Sequence, residues 1–185
     1  MKLSEHKDLK MAITELPLKE KDKLLLRLIA KDKVLTEHLH YKLLEGELDL
    51  EDRKEKIKTD VTNQIPSLAK LNAKEALAIV RKMITSVNHF YKVTKDSFGE
   101  VELKVFILHN IPLEYKRSLF GYRDYGFLFS AFYIKTLSVT LNKFHKLHED
   151  LQFDLKEEWN HLLDKIYSSK LAAEAAASAI PKEIA

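Results

Sequence analysis

Leu24-Leu25-Leu26-Arg27-Leu28-Ile29-Ala30-Lys31-Asp32-Lys33-Val34-Leu35-Thr36-Glu37-His38-Leu39-His40-Tyr41-Lys42-Leu43-Leu44 decides the fold class. Its apolar side chains recur at steps of three and four, the period that keeps them on one face of a helix. Lys31-Asp32-Lys33 interrupts the pattern and divides it into two helices. Gly46, just after Leu44-Glu45, reads as a stop, because glycine accepts the left-handed backbone at a helix end.

Start signals extend this reading along the chain. Asp49 precedes Leu50-Glu51-Asp52; Asn72 is followed three residues on by Glu75, Ser97 by Glu100 and Asp154 by Glu157. Each pairs a short oxygen acceptor for a free backbone N–H with an acid at the positive end of the helix. The predicted helices run over roughly 4–14, 18–31, 33–45, 50–64, 73–95, 98–109, 124–149 and 154–177. Val101, Leu103, Val105 and Ile107 alternate as a strand would. The Ser97/Glu100 signal and the lack of a partner strand favour helix there. Phe127, Ile134, Leu141 and His148 lie seven apart, as do Ser130, Leu137, Phe144 and Leu151, which predicts a central helix packed lengthwise with His148 in its seam.

Four prolines each follow a branched aliphatic residue. Pro17, Pro66 and Pro112 are 49 and 46 residues apart. Proline suits a first helical turn, and a spacing in the forties matches HEAT-type helix pairs. The fold class that follows is all-α. It is one domain of seven or eight helices over residues 1–170, an irregular bundle or a short HEAT-like array of antiparallel pairs. An alanine-rich extension, 171–185, is expected to fray. The predicted core is Leu25, Leu28, Ile29, Leu39, Leu43, Ile79, Met83, Val87, Ile107, Phe127, Ile134, Leu137, Leu141, Phe144 and Trp159.

Composition bounds the chemistry. The 185 residues are 45% hydrophobic and 32% charged, too apolar for general disorder, and a net charge of +3 exerts no strong pull toward nucleic acid or membrane. Without cysteine there is no disulfide, thiolate metal site or cysteine nucleophile. The first residues carry no apolar signal segment, and no apolar run approaches the roughly 20 residues that span a bilayer. A cytoplasmic protein is expected.

Catalytic motifs are missing: there is no Gly-x-Ser-x-Gly elbow and no glycine-rich phosphate loop. Glu37/His40 and Glu158/His161 have the Glu-x-x-His spacing that di-metal helical bundles use. Both pairs flank their apolar stripes, and the further inward glutamates such a site needs are not evident. No metal or other cofactor is therefore called for. The densest mixture of cations and aromatics is Tyr115-Lys116-Arg117-Ser118-Leu119-Phe120-Gly121-Tyr122-Arg123-Asp124-Tyr125-Gly126, within residues 65–135, which hold 11 Lys+Arg against 6 Asp+Glu. Arginine and aromatic side chains together can stack on bases and pair with phosphates. A connector anchored by its aromatics is the simpler account. The candidate binding residues are Tyr115, Lys116, Arg117, Tyr122, Arg123 and Tyr125.

Leu16-Pro17-x-x-Glu20-Lys21-Asp22-Lys23-Leu24-Leu25-Leu26-Arg27-Leu28-Ile29, continuing to Leu39-His40-Tyr41-Lys42-Leu43-Leu44-Glu45, resembles the opening of a group of small uncharacterised bacterial all-helical proteins. The resemblance implies helices and carries over no activity or site residue. The functional expectation is a helical interaction scaffold for a protein or peptide, without enzymatic activity. The alternatives are nucleic-acid binding through 115–126 and, second, a di-metal carboxylate enzyme. The oligomeric state is not fixed by the sequence.

Overall fold

The computed structural model describes residues 5–115 and 124–184. Among them are nine α-helices and no strand. The protein is all-α. No helix among the described residues is long and apolar enough to cross a membrane. The sequence reading draws one domain over 1–170; contacts in the structure divide the chain into two compact units, Met1–Leu44 and Glu45–Ala185.

The first unit holds α1 (Lys7–Glu15), α2 (Leu18–Ile29) and α3 (Lys33–Leu44). Pro17 stands at the N-cap of α2, where its missing N–H costs nothing. The α2–α3 turn is tied at Asp32, whose carboxylate accepts the Leu35 N–H (3.1 Å), and at Thr36, whose hydroxyl donates to the Ile29 carbonyl (3.0 Å). Sequence division at Lys31-Asp32-Lys33 coincides with this turn. None of the residues of α1, α2 or α3 is buried.

The second unit contains the core. It consists of α4 (Glu47–Leu68), α5 (Ala73–Thr94), α6 (Ser97–Asn110), α7 (Tyr125–Phe144), α8 (Glu149–Tyr167) and α9 (Ala172–Ala177). α6 packs against α4, α5, α7 and α8. It is buried nearly all round, through Val101, Leu103, Val105, Ile107 and Leu108. This explains its strand-like alternation: a helix surrounded by neighbours has no polar face to impose a period of 3.6. The central helix is therefore α6 rather than the expected 124–149 segment.

Several local expectations shift. Asn72 caps α5 as predicted, its side chain accepting from the Lys74 and Glu75 N–H groups (3.0 and 3.1 Å). α6 is capped one residue early, by Asp96, which accepts the Gly99 N–H at 2.9 Å. Gly46 is the N-cap of α4, with Asp49 accepting its N–H at 2.8 Å; it does not end α3 in a left-handed conformation. Asp154 lies inside α8, which begins five residues earlier. α7 ends at Phe144, so His148 leaves the heptad seam and instead caps α8 as an exposed side chain. The prolines do not mark equivalent positions: Pro66 is in the last turn of α4 and Pro112 follows the C-cap of α6.

The predicted core divides by unit. Met83, Val87, Ile107, Ile134, Leu137, Leu141, Phe144 and Trp159 are buried, whereas Leu25, Leu28, Leu43 and Phe127 are exposed and Ile29, Leu39 and Ile79 lie between. The C-terminal segment expected to fray is docked. Leu171, Ala175, Ile180 and Ile184 are buried, Tyr167 donates to the Ile180 carbonyl, and Asn160 accepts the Ile184 N–H at 2.8 Å. Composition gave α9 little to bury, yet alanine can pack closely against α8.

Candidate functional site

Two surfaces stand out, one in each unit. In the first unit, α2 repeats leucine at Leu18, Leu25, Leu26 and Leu28, each more than half exposed. Leu9 and Met11 on α1, and Leu43 and Leu44 on α3, are exposed as well. Scattered exposed leucines are ordinary; four within the twelve residues of α2 are a dense set. Lys19, Lys23 and Arg27 follow one another at four-residue steps along α2, all exposed, and Lys31 continues the spacing into the turn.

In the second unit a cleft of about 200 Å³ opens between α4, α6 and α8. Val105, Phe106 and Leu155 give it apolar walls; Lys58, Glu102, His109, Asn110, Glu158 and His161 supply polar groups. Helix spacing builds this set: Glu102, Phe106, His109 and Asn110 project from successive turns of α6. The Glu102 carboxylate accepts from Lys58 (2.7 Å) and Lys54 (3.0 Å). Burial alone would raise its pKa, but the two ammonium groups outweigh that and hold it below the usual carboxylate range. Burial likewise opposes the charge on Lys54 and Lys58, and Glu102, Glu51 and Glu55 more than offset it, so both lysines titrate above the ordinary value.

Beside this network the His109 and His161 rings lie 6.5 Å apart, tilted by 55°. Burial, then the charge of Lys165, then His161, lower the His109 pKa, which favours a neutral imidazole. Lys165 itself is pushed down to about 8 by burial. Its ammonium donates to the carbonyls of Ile111 (2.7 Å), Leu108 (3.4 Å) and His109 at the C-terminal end of α6. An ammonium has three N–H donors, and here each has a carbonyl. Lys165 thus satisfies the open end of a helix. The cations and carboxylate at the floor of the cleft are spent on one another.

Of the six candidate binding residues, four (Lys116, Arg117, Tyr122 and Arg123) lie outside the described residues. Tyr115 is half-buried, its ring edge-on to Phe129 at 4.7 Å, and its hydroxyl is buried without a partner among the described residues. Burial pushes that phenol's pKa up. Tyr125 opens α7, with the Lys74 ammonium 5.6 Å from its ring centre. Both described tyrosines thus contact the bundle, as anchors do. Glu37/His40 belong to the first unit and Glu158/His161 to the second. Among the described residues, no group of three or more histidines and carboxylates is placed to hold a metal ion.

Of the α2 leucines, Leu25 and Leu28 read as core in the sequence, and the cleft did not show there. The signal for the first was present: the leucines of 24–29 occupy more than one side of the helix. The cleft joins residues about fifty apart in sequence, and no local motif announces it. No protein-family model, curated protein or solved structure matches the chain.

Proposed function

We propose that this protein is an interaction module that docks a partner protein through the leucine surface of α1–α3. The observation that carries this reading is that three helices in succession bury no side chain while presenting Leu18, Leu25, Leu26 and Leu28 to solvent. Ordering a residue costs about 1–2 kcal/mol of backbone entropy, and fully burying a leucine returns about 1.5–3 kcal/mol. A helical unit that withholds its leucines from burial gains that term when a partner covers them. The second unit, with its continuous core from Val61 to Ile184, supplies the stable body. The paired charges of the cleft and the saturated Lys165 favour binding over catalysis.

The test compares the full chain with a Leu18→Ser/Leu25→Ser/Leu26→Ser/Leu28→Ser variant as affinity baits. The expected result is a protein retained by the native chain and lost by the variant, while thermal unfolding of the variant's second unit is unchanged. Identical recovery by the two baits, or no specific recovery by either, overturns the reading.

A further inference from the structure

Resting on that reading, we infer that the partner of α2 is an amphipathic helix whose leucines are bordered by aspartate and glutamate. Residues 1–44 hold ten lysines and arginines against seven acids, whereas residues 45–185 balance; the whole net charge of +3 therefore belongs to the first unit. Within it the excess is concentrated. From Leu18 to Lys33 there are six cations (Lys19, Lys21, Lys23, Arg27, Lys31 and Lys33) and three acids (Glu20, Asp22 and Asp32). Of the acids, Asp32 has its carboxylate engaged in capping α3. At about 100° per residue Lys19 and Lys23 border the leucine side of α2 on the flank of Leu26. Lys19, Lys23 and Arg27 form a row along the helix, next to Leu26, and Lys31 stands beyond its last turn.

A leucine face broken at Lys21 and Asp22 and bordered by an excess of cations selects its complement. Leucines on the partner fill the strip, and carboxylates on its flank meet the lysine row, as flanking charges do in paired helices. A second copy of the same surface fits less well, because it brings a second excess of three positive charges to the contact. A lipid surface would also satisfy a basic amphipathic helix. Here, however, the apolar arc of α2 is interrupted by Lys21 and Asp22. Immersing both charges in acyl chains is costly, whereas a protein can place a matching group opposite each.

The inference is tested by fluorescence anisotropy on the full chain with labelled synthetic helices. One probe carries leucine heptads flanked by glutamate; a second is identical with lysine flanks; anionic phosphatidylglycerol vesicles are the third. The glutamate-flanked helix is expected to bind at least about ten-fold tighter than its lysine counterpart at low salt, with the gap narrowing as ionic strength rises. Lys19→Glu/Lys23→Glu/Arg27→Glu should reverse the order of the two peptides. Equal binding of the peptides, failure of the reversal, tighter binding to vesicles than to either peptide, or no peptide binding each overturns the inference. These results are separate from the docking reading. That reading fails instead if the leucine-to-serine variant recovers the same partner as the native chain.

Discussion

The ammonium of Lys143 on α7 lies 2.6 Å from the carboxylate of Glu100 on α6, and the Glu100 side chain is buried. The same carboxylate accepts from Lys104, one turn along α6 at 2.6 Å and equally buried. Lys143 also sits over the Tyr91 ring of α5, 4.7 Å from its centre. The Glu100–Lys143 pair thus ties three helices together, and the arrangement is asymmetric. Lys143 reaches solvent, but Lys104 does not.

Glu100→Ala should therefore be far more damaging than Lys143→Met. The first strands a buried ammonium and is expected to cost about 3–5 kcal/mol. The second removes a partly exposed charge and is expected to cost about 1 kcal/mol or less. Urea unfolding of the two variants measures both values, and equal costs would show that Lys104 finds water when Glu100 is lost.

Leu137 and Leu25 are the same residue type at helical spacing, yet one is fully buried and the other 56% exposed. Leu137→Ala should cost about 2–5 kcal/mol, the range for a truncated core leucine. Leu25→Ala should change the unfolding of the isolated chain by about 0.5 kcal/mol or less. On the proposed docking reading, its effect should appear on partner binding instead.

That contrast marks where the sequence is legible. Periodicity reports that a helix has an apolar side, so the all-α class, the turn at Lys31-Asp32-Lys33 and the Asn72/Glu75 cap could all be read directly. It does not report what covers the apolar side. Leu25, Leu28 and Leu43 therefore looked like core until their surroundings were seen. Ser97, with Glu100 three residues on, fits the cap pattern, but Asp96, one residue earlier, offers the same chemistry and carries the cap. The cleft was illegible for a different reason. Glu102, His109 and His161 meet through packing between α6 and α8, and each alone is an unremarkable polar residue on a helix.

Lys165 gives the stability a pH dependence on the alkaline side. Its folded pKa of about 8 lies below the ordinary lysine value of 10.5. Between these limits the unfolded chain binds more protons than the native one, so this group makes stability rise with pH across that window. Lys165→Met should remove the rise. The native chain's advantage over the variant should then be larger at pH 10 than at pH 7.5, read by denaturant midpoints at both pH values. Lys54 and Lys58 act in the opposite sense, because their raised pKa values withdraw stability only above 10.5. A difference that stays flat from pH 7.5 to 10 would mean that the carbonyls of Leu108, His109 and Ile111 keep Lys165 charged throughout.

Asn160 controls the C-terminal segment. Its amide faces Ile184 at two points, the Oδ1 accepting the Ile184 N–H at 2.8 Å and the Nδ2 approaching the Ile184 carbonyl at 3.5 Å. Upstream, the Tyr167 hydroxyl donates to the Ile180 carbonyl. Each bond of this kind contributes about 1 kcal/mol, comparable to the conformational entropy that frays a chain end. Asn160→Ala should therefore release residues 181–184 while leaving α9 in place, because Leu171 and Ala175 remain buried and the Tyr167 bond is intact. Hydrogen exchange should show faster exchange at the Ile184 amide with little change at the Ala175 amide, which is bonded to the Leu171 carbonyl. The double change Asn160→Ala/Tyr167→Phe should extend the loss of protection to Ile180. If Ile184 stays protected in both variants, burial of its side chain rather than the asparagine clamp fixes the end of the chain.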